Sequence, residues 1–311
     1  MKSFSPNVDV ISENIIYLHS LNSKLTTSEL SKKLKVNRKI VENRTKKLYK
    51  KGFIKPLLVY NYSGLIKTTI LIKLSAFDEK IIEAIMQLKK LAKLKETLGK
   101  YDLSLLIITE EKKELDDIIN KINGLFHNRI LDMDVIMHDL EDTLGYKSFC
   151  HNLEFMTEYK MLDYDKKYIV SKEEKIVLDK LILKPDLSYK ELIKLTGWNY
   201  QKIKNIIFTL KSKEIIRVSI DPDYKKLGLE FHNILLKINL AKKSLFENNI
   251  AKHPQVHWIK KGFGRWDYIL SVTARNISEF IDISREIRTQ NKGIILDSSS
   301  LISKIHMMRQ V

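Results

Sequence analysis

Apolar side chains recur at helical spacing from residue 9 to 22 (Val10, Ile11, Ile15, Ile16, Leu18, Leu21), and Asn22, Ser23 and Lys24 break the run. The pattern predicts a first helix. Thr26 or Thr27 can cap a second, with Glu29 in its first turn and Leu30 and Leu34 as its buried stripe, before Lys35 and Val36 turn the chain. Asn37 then caps a third helix, Arg38 to Lys51, whose apolar side is Ile40, Val41 and Leu48, with Gly52 placed to end it. Phe53 to Tyr60 follows as a strand pair or wing. Three short helices, a tight turn before the third and a wing describe a winged helix-turn-helix.

The period then changes. Thr69 to Leu74 is expected as a strand, Glu79 to Lys93 as a helix, Leu94 to Leu98 and Leu103 to Ile108 as strands, Lys113 to Ile122 as a helix and Ile130 to Met137 as a strand. This β-α-β-β-α-β order is ferredoxin-like. The second half repeats the whole series. Helices are expected near Lys172 to Leu183, Tyr189 to Leu195, Asn199 to Lys213, Leu245 to Lys252 and Ile277 to Arg288. After a wing to Ile220, strands are expected near Asn233 to Asn239, Val256 to Lys261, Tyr268 to Val272 and Ile294 to Ile305.

The repetition extends to residue type. Leu25 to Leu30 returns 162 residues later as Leu187 to Leu192, Tyr62 and Leu65 return as Tyr224 and Leu227, and Gly99, Tyr101 and Asp102 return 165 residues later as Gly264, Trp266 and Asp267. Conserved order and spacing over that length indicate a tandem duplication, hence a pseudo-dimer within one chain. The fold class is therefore α+β, two winged helix-turn-helix modules (1–57, 171–220) alternating with two ferredoxin-like modules (58–145, 221–311). Residues 146–170 form a linker with a short helix at Leu153 to Met161.

Composition narrows the possibilities. With 311 residues, 44% apolar and 30% charged, the chain is globular. Its longest apolar runs are too short to span a membrane, and residues 1–10 lack a signal-type stretch, so a cytoplasmic protein is expected. The single cysteine, Cys150, excludes an intramolecular disulfide and any multi-cysteine metal site. The net charge of +17 is uneven: about +8 over residues 9–57 and about +5 over 171–217, against about −3 over 58–145. A basic surface of this kind favours polyanions, nucleic acid first among them.

In this order of modules, the segments Leu30 to Leu34, Arg44 to Leu48, Gly52 to Ile54 and Gly99 to Asp102 in the first half resemble the Lrp/AsnC family of transcription regulators. So do His253 to Ile259, Gly264 to Tyr268 and Ile277 to Phe280 in the second. The doubled form looks like tandem versions found among archaea. The resemblance implies that the third helix enters the DNA major groove, and that the ferredoxin-like modules pair and hold a small effector such as an amino acid. The first recognition helix would present Asn37, Arg38, Lys39, Glu42, Asn43 and Lys46, while Arg44 would contact phosphate or the body of the domain. Arg and Lys suit guanine or phosphate, and Asn43 suits adenine. The second would present Tyr200, Gln201, Lys202, Lys204 and Asn205, but Ile206 replaces Arg44 and Glu214 replaces Gly52, so the two readers are unequal. For the repeated turn, glycine and aspartate have structural uses of their own, in positive φ and in fixing a tight turn. The family likeness instead implies an effector site at Gly99, Tyr101, Asp102, Gly264, Trp266 and Asp267.

No Gly-rich phosphate loop, HExxH, GxSxG or CxxC appears, and the eight histidines are scattered. No metal or cofactor is expected, and the expected function is non-enzymatic: a regulator binding double-stranded DNA, as an internal pseudo-dimer or a dimer of such chains. One enzymatic alternative remains. Siroheme decarboxylases resemble a pair of Lrp/AsnC-like units and would have a cavity lined by histidine and arginine between the modules. The matching segment here, Tyr224 to His232, looks like the regulator version.

Overall fold

The computed structural model describes residues 3–77, 79–151 and 161–308. The helix expected at Leu153 to Met161 lies, except for Met161, outside them. The first helical module comprises α1 (Val10–Leu21), α2 (Thr27–Leu34) and α3 (Arg38–Lys50). Its caps follow the sequence: Asp9 accepts from Ser12 N, Thr26 and Glu29 form a reciprocal capping box, and Asn37 accepts from Lys39 N. Next come strands β1 (Ile54–Tyr60) and β2 (Ile66–Leu74), helix α4 (Glu79–Met86), strands β3 (Leu91–Leu98) and β4 (Leu103–Thr109), helix α5 (Lys112–Phe126) and strand β5 (Ile130–Thr143).

The second half repeats this with α6 (Lys172–Leu183), α7 (Tyr189–Thr196), α8 (Tyr200–Ser212), β6 (Ile216–Pro222), a short α9 (Tyr224–Leu227), β7 (Glu230–Ile238), α10 (Lys243–Lys252), β8 (Val256–Phe263), β9 (Tyr268–Ala274), α11 (Ile277–Gln290) and β10 (Ile295–Met308). Helix α4 ends at Met86 where Lys93 was expected, because Leu91 to Lys93 already belong to β3. Lys93, at the end of the expected helix, and Lys95, within the expected strand, are both inward positions of β3. Among the described residues, no helix is long and apolar enough to cross a membrane.

The two ferredoxin-like modules pair within the chain. Seams β5–β8 and β10–β3 join their sheets into a closed barrel in the order β10-β3-β4-β2-β5-β8-β9-β7. The seams obey the repeat: Met137 pairs with Phe263, and the same contact recurs as Ile302 with Leu98. Closure leaves the barrel itself without a free edge. Outside the barrel, α4 and α5 cover one sheet over Ile70, Ile72, Leu103 and Leu105, while α10 and α11 cover the other over Ile234, Leu236, Leu270 and Val272. Alternation along each strand then points the intervening side chains inward.

Neither half keeps a wing of its own. β1 pairs antiparallel with β6 in a two-stranded ribbon, with Leu57 opposite Ser219 at its centre. Since 219 − 57 is the repeat length of 162, the pseudo-dyad passes between these two residues. The helical modules pack across the dyad: Leu58, Tyr60 and Tyr62 join the core of α6, α7 and α8, while Ile220, Tyr224 and Leu227 join that of α1, α2 and α3. A single strand per module cannot satisfy its own backbone, so each borrows its partner from the other half.

Candidate functional site

The barrel interior has two ends with opposite chemistry. At one end Leu71, Tyr101, Ile136, Leu235, Trp266, Ile269 and Leu301 form an apolar plug. The Trp266 indole donates to the Tyr101 hydroxyl at 3.1 Å, and that hydroxyl donates to Asp134. The aspartates of the repeated turn act as pins. Asp102 accepts from Lys73 Nζ at 2.8 Å and Leu74 N at 2.7 Å, and Asp267 accepts from Lys237 Nζ at 3.0 Å and Ile238 N at 2.9 Å. Gly99 (φ +140) and Gly264 (φ +151) let the backbone approach Ser300 O and Val135 O. The six residues named as effector-binding thus close and brace the barrel, and none of them lines the cavity at its other end.

That cavity, about 570 Å³, lies beneath the β1–β6 ribbon and is large enough for a sizeable organic ligand. Inward positions of three strands supply Lys67 (β2), Lys93 and Lys95 (β3) and Lys260 (β8), with Tyr60, Phe231 and Trp258 as aromatic wall. Lys93 and Lys95 each lie 4.8 Å from the centre of the Phe231 ring, and Lys95 also donates to Asn233. The carboxylates present do not balance these charges. Glu141 takes Lys67 at 3.2 Å and Lys260 at 3.3 Å, and Asp221 takes Lys55 at 3.2 Å.

Burial dominates the electrostatics. It pushes the Lys93 ammonium down to about 8, with Asp221 partly opposing, and drives Lys95 well below the ordinary lysine range, helped by repulsion from Lys93 and Lys260. Burial would raise the Glu141 carboxyl, but Lys260 and Lys67 overcome it and hold the group well below the usual range. The cavity is therefore short of negative charge and suited to a ligand with several carboxylates.

The face of α3 is open. Asn37, Arg38, Lys39, Asn43 and Lys46 are exposed, Glu42 pairs with Lys46 within the helix, and Arg44 turns inward to an ion pair with Asp9 at 2.8 Å, without hydrogen-bond geometry. On α8, Tyr200, Gln201, Lys204 and Asn205 are exposed, whereas Lys202 pairs with Glu173 and lies over the Trp198 ring at 4.3 Å. Ile206, in the place of Arg44, is buried in its module's core. Glu214 adopts the same left-handed backbone as Gly52, with φ of 53° against 66°.

These elements define a tandem Lrp/AsnC-like α+β fold. Among solved structures, the chain is similar along its length to the siroheme decarboxylase NirDL, with 12% identity, a TM-score of 0.61 and coverage of 97% of this chain and 94% of that one. It is equally covered by NirDL in co-complex with an iron-uroporphyrin III analogue, at a TM-score of 0.59 and 12% identity. The E. coli regulator AsnC matches over 43% of this chain and 93% of its own, with a TM-score of 0.35 and 18% identity. No family model and no curated relative matches the sequence.

Proposed function

We propose that the chain holds a polycarboxylated tetrapyrrole in the lysine cavity and removes carboxyl groups from it, the enzymatic alternative raised by the sequence. The observation that carries this reading is the convergence of Lys67, Lys93, Lys95 and Lys260 on one cavity with aromatic walls. Flat macrocycles fringed with acetate and propionate match both features, and the full-length likeness to NirDL supports the same ligand class. Among the described residues the lining departs from the expected one, since neither histidine nor arginine contributes to it. Lys67, Lys93, Lys95 and Lys260 are there to recognise carboxylates. Loss of carbon dioxide from an acetate side chain leaves a carbon that must take up a proton. Lys93, with a pKa of about 8, is able to neutralise a carboxylate and to exchange a proton near neutral pH.

Titration of the purified protein with iron-uroporphyrin III should shift the Soret band, and Lys93→Met with Lys95→Met should weaken binding by at least ~10-fold, the effect of losing one good charge-assisted contact. Mass loss of the ligand, followed by mass spectrometry, reports the chemistry. An unchanged spectrum at saturating ligand overturns the proposal.

A second reading, duplex DNA binding through α3, is favoured by the exposed row Arg38, Lys39, Asn43 and Lys46. Affinity should fall steeply with salt, and Arg38→Ala with Asn43→Ala should weaken a specific site more than random sequence. Equal loss on every sequence sinks it.

A further inference from the structure

The cavity is one of two clefts that the duplication made equivalent. The pairs Leu91–Ile107 and Lys93–Leu106 on β3–β4 recur as Val256–Val272 and Trp258–Ser271 on β8–β9, each with a bulge of one residue, Ala92 in the first case and His257 in the second. Ala92 lines the open cleft, whose mouth is formed by Leu183 to Asp186 of the α6–α7 turn. The corresponding turn in the first half begins at Leu21, and chain from its own half packs against it. There Tyr146 packs its ring 4.8 Å from that of His257 and receives a hydrogen bond from Trp258 Nε1 at 3.2 Å, while its own N–H donates to Ser20 Oγ at 3.0 Å. Gly145 is pressed so close to Leu21 that a Cβ would lie 2.9 Å from its side chain.

We propose that the protein takes one anionic ligand per chain, in the cleft over Ala92, because the segment at Gly145 and Tyr146 permanently occupies the sister cleft over His257. Ala92 is then the specificity-determining position: its small side chain leaves the room that His257 and Tyr146 fill on the other side. This rests on the proposed use of the cavity for a polycarboxylate.

Calorimetric titration of the full chain with two probes, iron-uroporphyrin III and the smaller planar polyanion benzenehexacarboxylate, tests it. One equivalent should bind, and Ala92→Trp should lower affinity at least ~10-fold, since overfilling a packed wall is costly. Ala92→Leu is the milder variant if the first fails to fold, and thermal melting of both reports folding. Two equivalents per chain, or wild-type affinity in folded Ala92 variants, overturns the one-cleft inference. Binding of benzenehexacarboxylate with the Ala92 effect but no binding of iron-uroporphyrin III leaves the inference standing and removes the tetrapyrrole reading. Failure of both probes overturns both.

Discussion

Lys95 shows what a buried charge does to its neighbours. Its ammonium is almost wholly shielded, is repelled by Lys93 and Lys260, and has an amide, not a carboxylate, as its hydrogen-bond partner. Removing such a group relieves a desolvation cost and should stabilise the fold while harming the site. Lys95→Met is therefore expected to raise the melting temperature by a few degrees and to weaken polycarboxylate binding; a lower melting temperature would show that the Asn233 contact outweighs the burial cost. The pH dependence has a definite sign. Burial lowers His19 to about 4 and both His138 and His257 to about 3, so the unfolded chain binds more protons below pH 6.5. Their contribution is present above pH 6.5 and lost as pH falls towards those values. Lys147, lowered by burial to about 7, and Lys93, lowered to about 8, act in the same direction between the ordinary lysine range and neutrality. Asp142, raised to about 7 by burial against the pull of Arg217, opposes them below neutrality. Guanidinium unfolding at pH 5 should show a loss relative to pH 7, at up to about 2 kcal/mol for each buried histidine less the Asp142 term. Equal stability at the two pH values would mean that the histidines are charged in the fold.

Among the elements, the repeated turn has the clearest energetics. At Gly99 a Cβ would lie 2.7 Å from Ser300 O, and at Gly264 it would lie 2.7 Å from Val135 O, both at positive φ. Gly99→Ala and Gly264→Ala should each cost about 2 kcal/mol or more in unfolding free energy with the ligand stoichiometry unchanged, because strain and clash act at the end of the barrel away from the cavity. Much of this level was legible beforehand. Thr26 with Glu29 and the Asn37 cap gave the helix starts, and the β-α-β-β-α-β order followed from the change of period. The lysine cavity was not legible, because its members come from β2, β3 and β8 and read locally as ordinary surface lysines. Only closure of the barrel turns that face of the strands inward. The crossed packing of the wing strands was hidden for a related reason: β1 is apolar enough for a local wing, and nothing local specifies that its partner lies half a chain away.

For the whole molecule, the barrel makes the two halves one cooperative body. A half chain of residues 1–151 would carry β3 and β5 as unpaired edges and β1 without β6. Such edges recruit the nearest compatible strand, and the duplication supplies one in every other copy. Expressed alone, this half should run as a dimer or larger species in light scattering; a stable monomer would contradict the seams. The ribbon centred on Leu57 and Ser219 also bears on synthesis. When the first helical module leaves the ribosome, the strand that completes its core has not yet been translated, and it arrives only after some 160 further residues. The nascent first half must wait with an incomplete core and open edges, a state prone to aggregation and a natural client for chaperones.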